Sequence, residues 1–262
     1  SWNALTRTVG STPSFPESIM QEAAQRFRDE LDRLSSSQAT YLSGALVFIV
    51  LFVAAYFLQA GNLFAGYPAW QLWLQTGFLA LAGLFAAWRL GHTILTRRQV
   101  RFVCDANVAI GHQLQQISTG ANRIFHDVIT SAGIVDHVLV GQTGIYAVNV
   151  VARRNSRNGS AMLDGSGLSF STRKDHLPLV EITAGTARLE KEICRLLGHK
   201  VRVRSVIAVP GWDIGVQTSE NHLLVNERNI SMLRGWKDQS DYLMNEDVDA
   251  LQLELTARCR RK

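Results

Sequence analysis

Cysteine is scarce in this chain of 262 residues: Cys104, Cys194 and Cys259 stand far apart, with no CxxC pair. An odd, scattered set argues against a disulfide framework and against a zinc site, and reads as buried or inert thiols in a reducing compartment. There is no Walker-type phosphate loop and no GxSxG elbow. Gly165-Ser166-Gly167 is a turn and not a dinucleotide fingerprint, because no long apolar strand leads directly into a helix there. His199 and His222 lack neighbours at metal-ligand spacing. No internal repeat or long low-complexity tract is found. The chain begins at Ser1, so an initiator Met and further residues are expected before it.

Charge is also missing where it matters most. Residues 41–60 contain no charged side chain, and residues 69–90 are similarly apolar up to Arg89 near their end. About 20 apolar residues span a bilayer core. One such run also suits a buried core helix. Two in tandem, joined by the uncharged residues 61–68 and carrying Trp70, Trp73 and Trp88 near the ends of the second run, predict a transmembrane hairpin. A cleavable signal peptide is not expected, because a long polar segment precedes the first run. The joining loop has no Lys or Arg, whereas Arg26, Arg28 and Arg33 precede the hairpin and Arg89, Arg97, Arg98 and Arg101 follow it. This asymmetry predicts both termini on the cytoplasmic side of a cytoplasmic (inner) membrane. Neither run carries a polar residue that points to transport.

The net charge is +5 and the pI about 9.4, which permits acidic partners such as lipid headgroups or nucleic acid. The mean hydropathy of +0.03 averages two unlike parts, an apolar segment of residues 41–95 and a remainder of ordinary soluble composition. Before the hairpin, Ser14-Phe15-Pro16-Glu17 reads as a helix start. Ile19, Ala23, Phe27, Leu31 and Leu34 then share one face, with Arg26, Asp29, Glu30 and Arg33 on the others and a stop at Ser35-Ser36-Ser37. After it, Val100, Val103, Cys104, Val108, Ile110, Leu114 and Ile117 keep helical spacing to about Ser118. The second apolar run continues into this helix unless Gly91 interrupts it.

Residues 123–129 read as a strand, and residues 135–151 as two more joined by the turn Gly141-Gln142-Thr143-Gly144, where Gly supplies the positive φ that tight turns need. The second of these is almost wholly apolar, as a strand buried on both faces should be. It ends with Asn149 and Val151 on one face. A basic loop, residues 153–159, precedes a small hairpin over 162–170. Residues 178–197 form a long helix with Ile182, Leu189, Ile193, Leu196 and Leu197 toward a core and Gly198 as its stop. Residues 201–209 form a strand, amphipathic at first and then buried. A short strand at 223–225 and helices at 230–236 and 246–259 complete the order, which is that of an α/β domain with a mixed sheet.

Several of these blocks, in this order, resemble the NERD (nuclease-related) domain, a distant member of the PD-(D/E)xK nuclease-like group. The resemblance runs over about residues 100–240 and is strongest at Val-Asp-His-Val-Leu-Val-Gly-Gln-Thr-Gly-Ile-Tyr-Ala-Val, residues 135–148. Residues 123–128, 206–210 and 223–230 look like further family strands and a strand-to-helix step. It implies a restriction-endonuclease-like core after the hairpin, and a division into an N-terminal segment (1–40), the hairpin (41–95), the NERD-like domain (96–240) and a C-terminal helix (241–262).

The resemblance also implies where an active site would lie. Carboxylates would hold a divalent cation that activates water, and a Lys beside them would assist. Asp136 matches the family Asp. The family's Glu-x-Lys falls on Asn149 and Val151, its helical Glu near Asn107, and its Gln after Pro on Glu181. One carboxylate therefore remains and the Lys is aliphatic. A neutral Asn is a poor substitute in a hard-oxygen Mg²⁺ site, and Val151 carries no charge. Migrated groups are conceivable: Arg153 or Arg154 for the Lys, and Asp127, Asp164 or Glu181 for an oxygen. Asp127 and Asp164 otherwise read as turn or surface carboxylates, and His137 as a packing residue. Arg97, Arg98, Arg153, Arg154, Arg157, Arg173 and Lys174 are the candidates for lipid or nucleic-acid contact. The expectation is a membrane-anchored, catalytically inactive accessory or scaffold protein, with no metal or cofactor, contacting membrane lipid and another membrane protein or complex. The alternative is a nuclease with a rearranged site, in which Asp136 would help to hold Mg²⁺.

Overall fold

The computed structural model describes residues 24–60, 68–118, 122–155, 158–217, 221–236 and 239–259. Two long helices come first, α1 (Gln25–Ala60) and α2 (Ala69–Ile117). With 36 and 49 residues they reach about 54 Å and about 74 Å, well beyond the ~30 Å of a hydrocarbon core. Gln38 accepts a hydrogen bond from Arg97 Nη1 at 2.8 Å, and Tyr41 Oη one from Arg89 Nη2 at 3.0 Å. The two links run in opposite sequence directions, so the helices are antiparallel. Both are long and apolar enough to cross a membrane. Leu46, Ile49, Phe57, Trp73, Phe78 and Leu84 are each more than half exposed. Leaving such side chains in water forgoes roughly 1.5–3 kcal/mol apiece.

The expected stop at Ser35-Ser36-Ser37 is absent: α1 passes through it without a break. Ser36 Oγ donates to the Arg33 carbonyl at 2.8 Å and Thr40 Oγ1 to the Ser36 carbonyl at 3.1 Å, so the hydroxyls are satisfied within the helix rather than competing with it. The proposed cap at Ser14 lies outside the described residues. Gly91 does not interrupt α2 either, since a single helical Gly costs only about 1 kcal/mol. The positions 40/41 and 95/96 thus both fall inside continuous helices.

Beyond α2 stands a mixed five-stranded sheet. Its strands are β1 (Arg123–Thr130), β2 (Gly133–Gly141), β3 (Gly144–Val150), β7 (Val203–Ala208) and β9 (His222–Val225), in the order β1-β2-β3-β7-β9. β1, β2 and β3 are antiparallel neighbours; β3, β7 and β9 are parallel. The turn between β2 and β3 places Gly144 at φ 126°, as its sequence requires. A second sheet, ordered β6-β5-β4-β8, holds β4 (Ser160–Leu163), β5 (Gly167–Phe170), β6 (Arg173–Pro178) and β8 (Asp213–Gln217). β6 carries no apolar alternation and β8 only the short Ile214–Val216 one; their backbone pairing with β5 and β4 defines them.

Helices cover both faces of the larger sheet. One face packs Val138, Val140, Ile145 and Ala147 against α3 (Leu179–Leu197) and α4 (Asn245–Cys259). The other packs Leu139, Tyr146 and Val148 against Ile110 and Leu114 of α2 and a 3₁₀ helix, Ile230–Arg234, where an α-helix was expected. α2 therefore leaves the apolar helix pair and becomes a layer of the α/β domain. Gly198 ends α3 in the left-handed conformation, φ 73°. Leu189 and Ile193 of α3 are buried, but Leu196 is 45% exposed, against expectation. β7 begins at Val203 rather than Val201 and is buried along its whole length; the exposed Arg202 of the expected amphipathic start lies just before it. Its Arg204 is accommodated by an ion pair with Asp241 at 2.5 Å and by stacking on Trp236 at 4.7 Å.

Candidate functional site

The site forms where β2 parts from β3. Their ladder runs from Gly141↔Gly144 to His137↔Val148. One residue further, the side chain of Asp136 replaces it: Oδ2 accepts the backbone N–H of Val150 at 2.7 Å. On the other side of β2, the register pairs His126 with His137 and Val128 with Val135. Asp127 and Asp136 are the residues between those pairs. Asp127 adopts φ 52°, a left-handed backbone that Asp tolerates better than most residues. Both carboxylates are buried.

Their counter-charge comes from an unexpected place. Arg26, in the first turn of α1, directs Nε to Asp127 Oδ1 at 3.2 Å and donates from Nη2 to Asp136 Oδ1. The guanidinium also lies 4.4 Å from the centre of the Phe27 ring. Arg26 was expected on an outer face of an amphipathic helix; it points into the domain instead. Asp127 was expected at a turn or on the surface; it is buried beside Asp136. α1 has no acidic residue in its own first turn. Asp127 meets the backbone N–H groups of Arg26 and Gln25 and supplies that negative charge from another element.

Burial dominates the electrostatics. It pushes Asp136 from 3.8 up to about 6, against the pull of Arg26 and the Val150 N–H and with the help of Asp127. Burial raises Asp127 as well, again opposed by Arg26. Beside the carboxylates, His126 Nδ1 and His137 Nδ1 lie 2.7 Å apart with their rings nearly perpendicular. Burial, with like-charge repulsion from His112, lowers His126 to about 4. Burial, with the neighbouring His126, lowers His137 to about 3. Both imidazoles are neutral near pH 7, so one ring donates to the other.

The other positions implied by the resemblance are scattered. Asn107, on α2, donates from Nδ2 to the Val103 carbonyl at 3.0 Å within its own helix. Asn149 is buried and donates to Thr186 Oγ1 of α3 at 2.8 Å. Val151 is partly buried against the apolar cluster that holds Leu163, Leu168, Phe170, Ile207 and Trp212. Glu181 is exposed in the first turn of α3. Among the described residues no hydrogen bond or ion pair joins Asp136 to Asn107, Asn149 or Glu181. Asp164 is the turn carboxylate expected, accepting from the backbone N–H groups of Ser166 and Gly167 at 2.8 Å.

The basic candidates do not converge on Asp136 either. Arg97 bonds Gln38, and Arg98 is exposed on α2. Arg153 accepts the Trp212 indole N–H on its carbonyl at 2.8 Å, and Arg154 lies 5.5 Å from the Phe102 ring centre. Arg157 falls outside the described residues, as do the side chains of Arg173 and Lys174 at the start of β6.

A divalent cation fits this donor set poorly. Its two carboxylates already share a guanidinium, its nearest nitrogens belong to a histidine pair bonded to each other, and Asn149 and Val151 are engaged elsewhere. Among the described residues no group of three or more His, Cys, Asp or Glu is arranged to hold a metal ion. Sequence reasoning named Asp127 only as one of several oxygen donors and as a turn or surface carboxylate, and it missed Arg26. The signal for Asp127 was present: His126-Asp127 and Asp136-His137 are mirror-image dipeptides on consecutive antiparallel strands.

Part of the chain matches a known family. Residues 105–210 match the family model of the nuclease-related domain, NERD. The match spans α2's last turns through β7 and includes Asp127, Asp136, Asn149 and Val151. No curated protein and no solved structure matches the chain.

Proposed function

We propose that this protein, which carries a nuclease-related domain, holds that domain at a membrane as a non-hydrolysing docking module. One observation carries the reading: Asp136 is already occupied by Arg26 and the Val150 N–H, while the positions that would complete a metal site are a hydrogen-bonded Asn149 and an aliphatic Val151. A phosphodiester hydrolase of this kind needs a cation held at the carboxylates and a charged group to assist the water. Here the cation is a side chain with no open coordination position.

In this reading α1 and α2 cross the membrane as a hairpin, with Arg97 and Arg98 at the headgroups and both chain ends on the cytoplasmic face. Since α2 is one helix from the apolar pair into the sheet layer, the domain is coupled directly to the membrane segment. The partner is a second membrane protein or complex, with lipid as the surrounding contact. Labelling of single cysteines introduced at residues 61–68 by an impermeant reagent from the outside of intact cells tests the orientation; labelling only after the inner face is opened contradicts it.

A second reading, a metal-dependent nuclease with a rearranged site, has one observation in its favour. Asp127 provides a second carboxylate beside Asp136. Binding of the full chain to DNA in detergent separates a nucleic-acid role from a protein-docking one. The docking reading predicts weak binding; tight binding that weakens steeply with salt contradicts it.

A further inference from the structure

We infer that the cleft between α3, α4 and the β1–β2 turn receives a segment of a partner protein that carries acidic residues beside a large apolar side chain. The inference rests on the docking role proposed above and names the chemistry of its partner. The cleft holds about 700 Å³. It lies on the face of the larger sheet that packs α3 and α4, opposite the face covered by α2. No described residue of α1 or α2 lines it, so the hairpin leaves it open. One wall is apolar. Ile129 at the end of β1 and Leu196 of α3 are each close to half exposed there, and Ala257 of α4 stands beside them. Covering an Ile and a Leu with an apolar side chain of a partner is the favourable term that such a wall offers.

The other wall is cationic. Arg188, Arg195 and Arg258 line the cleft, and its acids among the described residues are Glu192 and Glu254. Both acids are already engaged. Glu192 accepts Ser131 Oγ and Arg188 Nε, each at 3.1 Å, and also Arg258 Nη1. Burial would raise its carboxyl, but the hydrogen bonds from Arg258 and Ser131 outweigh it and hold the group below the usual carboxylate range. Glu254 accepts Arg258 Nε at 2.9 Å. These contacts fix two guanidinium groups without exhausting them, since each carries five N–H donors. Arg188 is bonded through Nε alone, Arg258 through Nε and Nη1, and Arg195 makes no hydrogen bond or ion pair among the described residues. The remaining donors suit a carboxylate, which an arginine fork binds with two parallel hydrogen bonds. In sequence, Arg260-Arg261-Lys262 follow α4 and add charge of the same sign. Two features favour a peptide over nucleic acid. No described aromatic residue lines the cleft for a base to stack on, and the exposed Ile129 and Leu196 have no use in binding phosphates.

The test pans a display library of random dodecapeptides against the full chain in mild detergent. The enriched peptides are then labelled with a fluorophore and titrated by anisotropy. They are expected to combine Asp or Glu with Leu, Ile or Phe. Arg195→Glu and Leu196→Ser, both at exposed side chains, should each weaken their binding at least about fivefold. Raising salt from about 0.05 M to about 0.3 M should weaken binding by the natural chain more than by Arg195→Glu. A failure to enrich any peptide, enrichment of peptides without acids, or binding indifferent to either substitution overturns the inference. So does a labelled oligothymidine that binds more tightly than the peptides and loses that affinity in Arg195→Glu, which would assign the cleft to nucleic acid. The docking role fails separately. Cleavage of nucleic acid by a chain that still binds the peptides through Arg195 refutes that role and leaves the cleft assigned, whereas loss of the peptide result alone leaves the absence of hydrolysis standing.

Discussion

Asp127 and Asp136 occupy facing positions on antiparallel strands and share the guanidinium of Arg26, which belongs to a helix 101 and 110 residues away in sequence. That triad ties the start of α1 to the sheet. Removing Arg26 leaves two buried carboxylates facing each other, and Arg26→Ala is expected to lower unfolding stability by about 1–3 kcal/mol, discounted for the partial exposure of the arginine. A double-mutant cycle of Arg26→Ala and Asp136→Asn in urea should return a coupling of at least about 1 kcal/mol. Additive effects would show the contact to be energetically idle.

The pH dependence follows from opposite shifts. Asp136 is raised from 3.8 to about 6, so the folded chain holds that proton more tightly and its contribution to stability is lost as pH rises across this window. His126 and His137 are lowered from 6.5 to about 4 and about 3; the unfolded chain takes up those protons first, and stability falls as pH drops below 6.5. The groups facing them include Arg26 of α1, Asp127 of β1, the Val150 N–H of β3, the Asn107 backbone of α2 at His137 and, near His126, His112 of α2. Asp136→Asn should therefore gain stability relative to the natural chain between pH 4 and 6, by about 1–3 kcal/mol. His137→Gln should gain relative to it as pH falls from 6.5 to 4. Parallel melting curves for all three chains across pH 4–7 would contradict both statements.

Asn149 is held by Thr186 rather than by a ligand. Thr186→Val leaves the amide a buried, unpaired donor and should cost about 1–3 kcal/mol in urea unfolding. Combining it with Asn149→Leu, which removes the donor too, should recover part of that loss. A Thr186→Val variant as stable as the natural chain would mean that the amide has another partner.

Restoring the residues that the family resemblance implies should not restore chemistry. Val151 is partly buried against the apolar cluster around Leu163, Phe170 and Trp212, so Val151→Lys brings a charge against apolar side chains and should destabilise by about 1–3 kcal/mol. Asn149→Glu with Val151→Lys is expected to remain without Mg²⁺-dependent nuclease activity while Arg26 is present. Activity in that double variant would show that Arg26 does not close the site.

What the sequence made legible followed local rules. The two apolar runs, the β2–β3 pair with its Gly141–Gly144 turn, and α3 with its Gly198 stop are each written in periodicity or turn chemistry, and each is present. The failures were long-range. Ser35-Ser36-Ser37 has poor helix propensity, but a helix that continues on both sides overrides it. β6 and β8 exist through pairing partners that no single segment specifies. Asp136 and Asn149 were singled out because the family resemblance placed its site positions on them. Arg26 was not, because nothing in a stretch of mixed charge distinguishes the arginine that turns inward from those that stay in water.

The most direct test of the central claim is hydrolysis itself. The full chain, purified in mild detergent, is incubated with single- and double-stranded DNA and with RNA in the presence of Mg²⁺ or Mn²⁺, beside an Asp136→Ala control. The account predicts that the natural chain leaves every substrate intact, indistinguishable from the control. Metal-dependent cleavage by the natural chain that disappears in Asp136→Ala would contradict it.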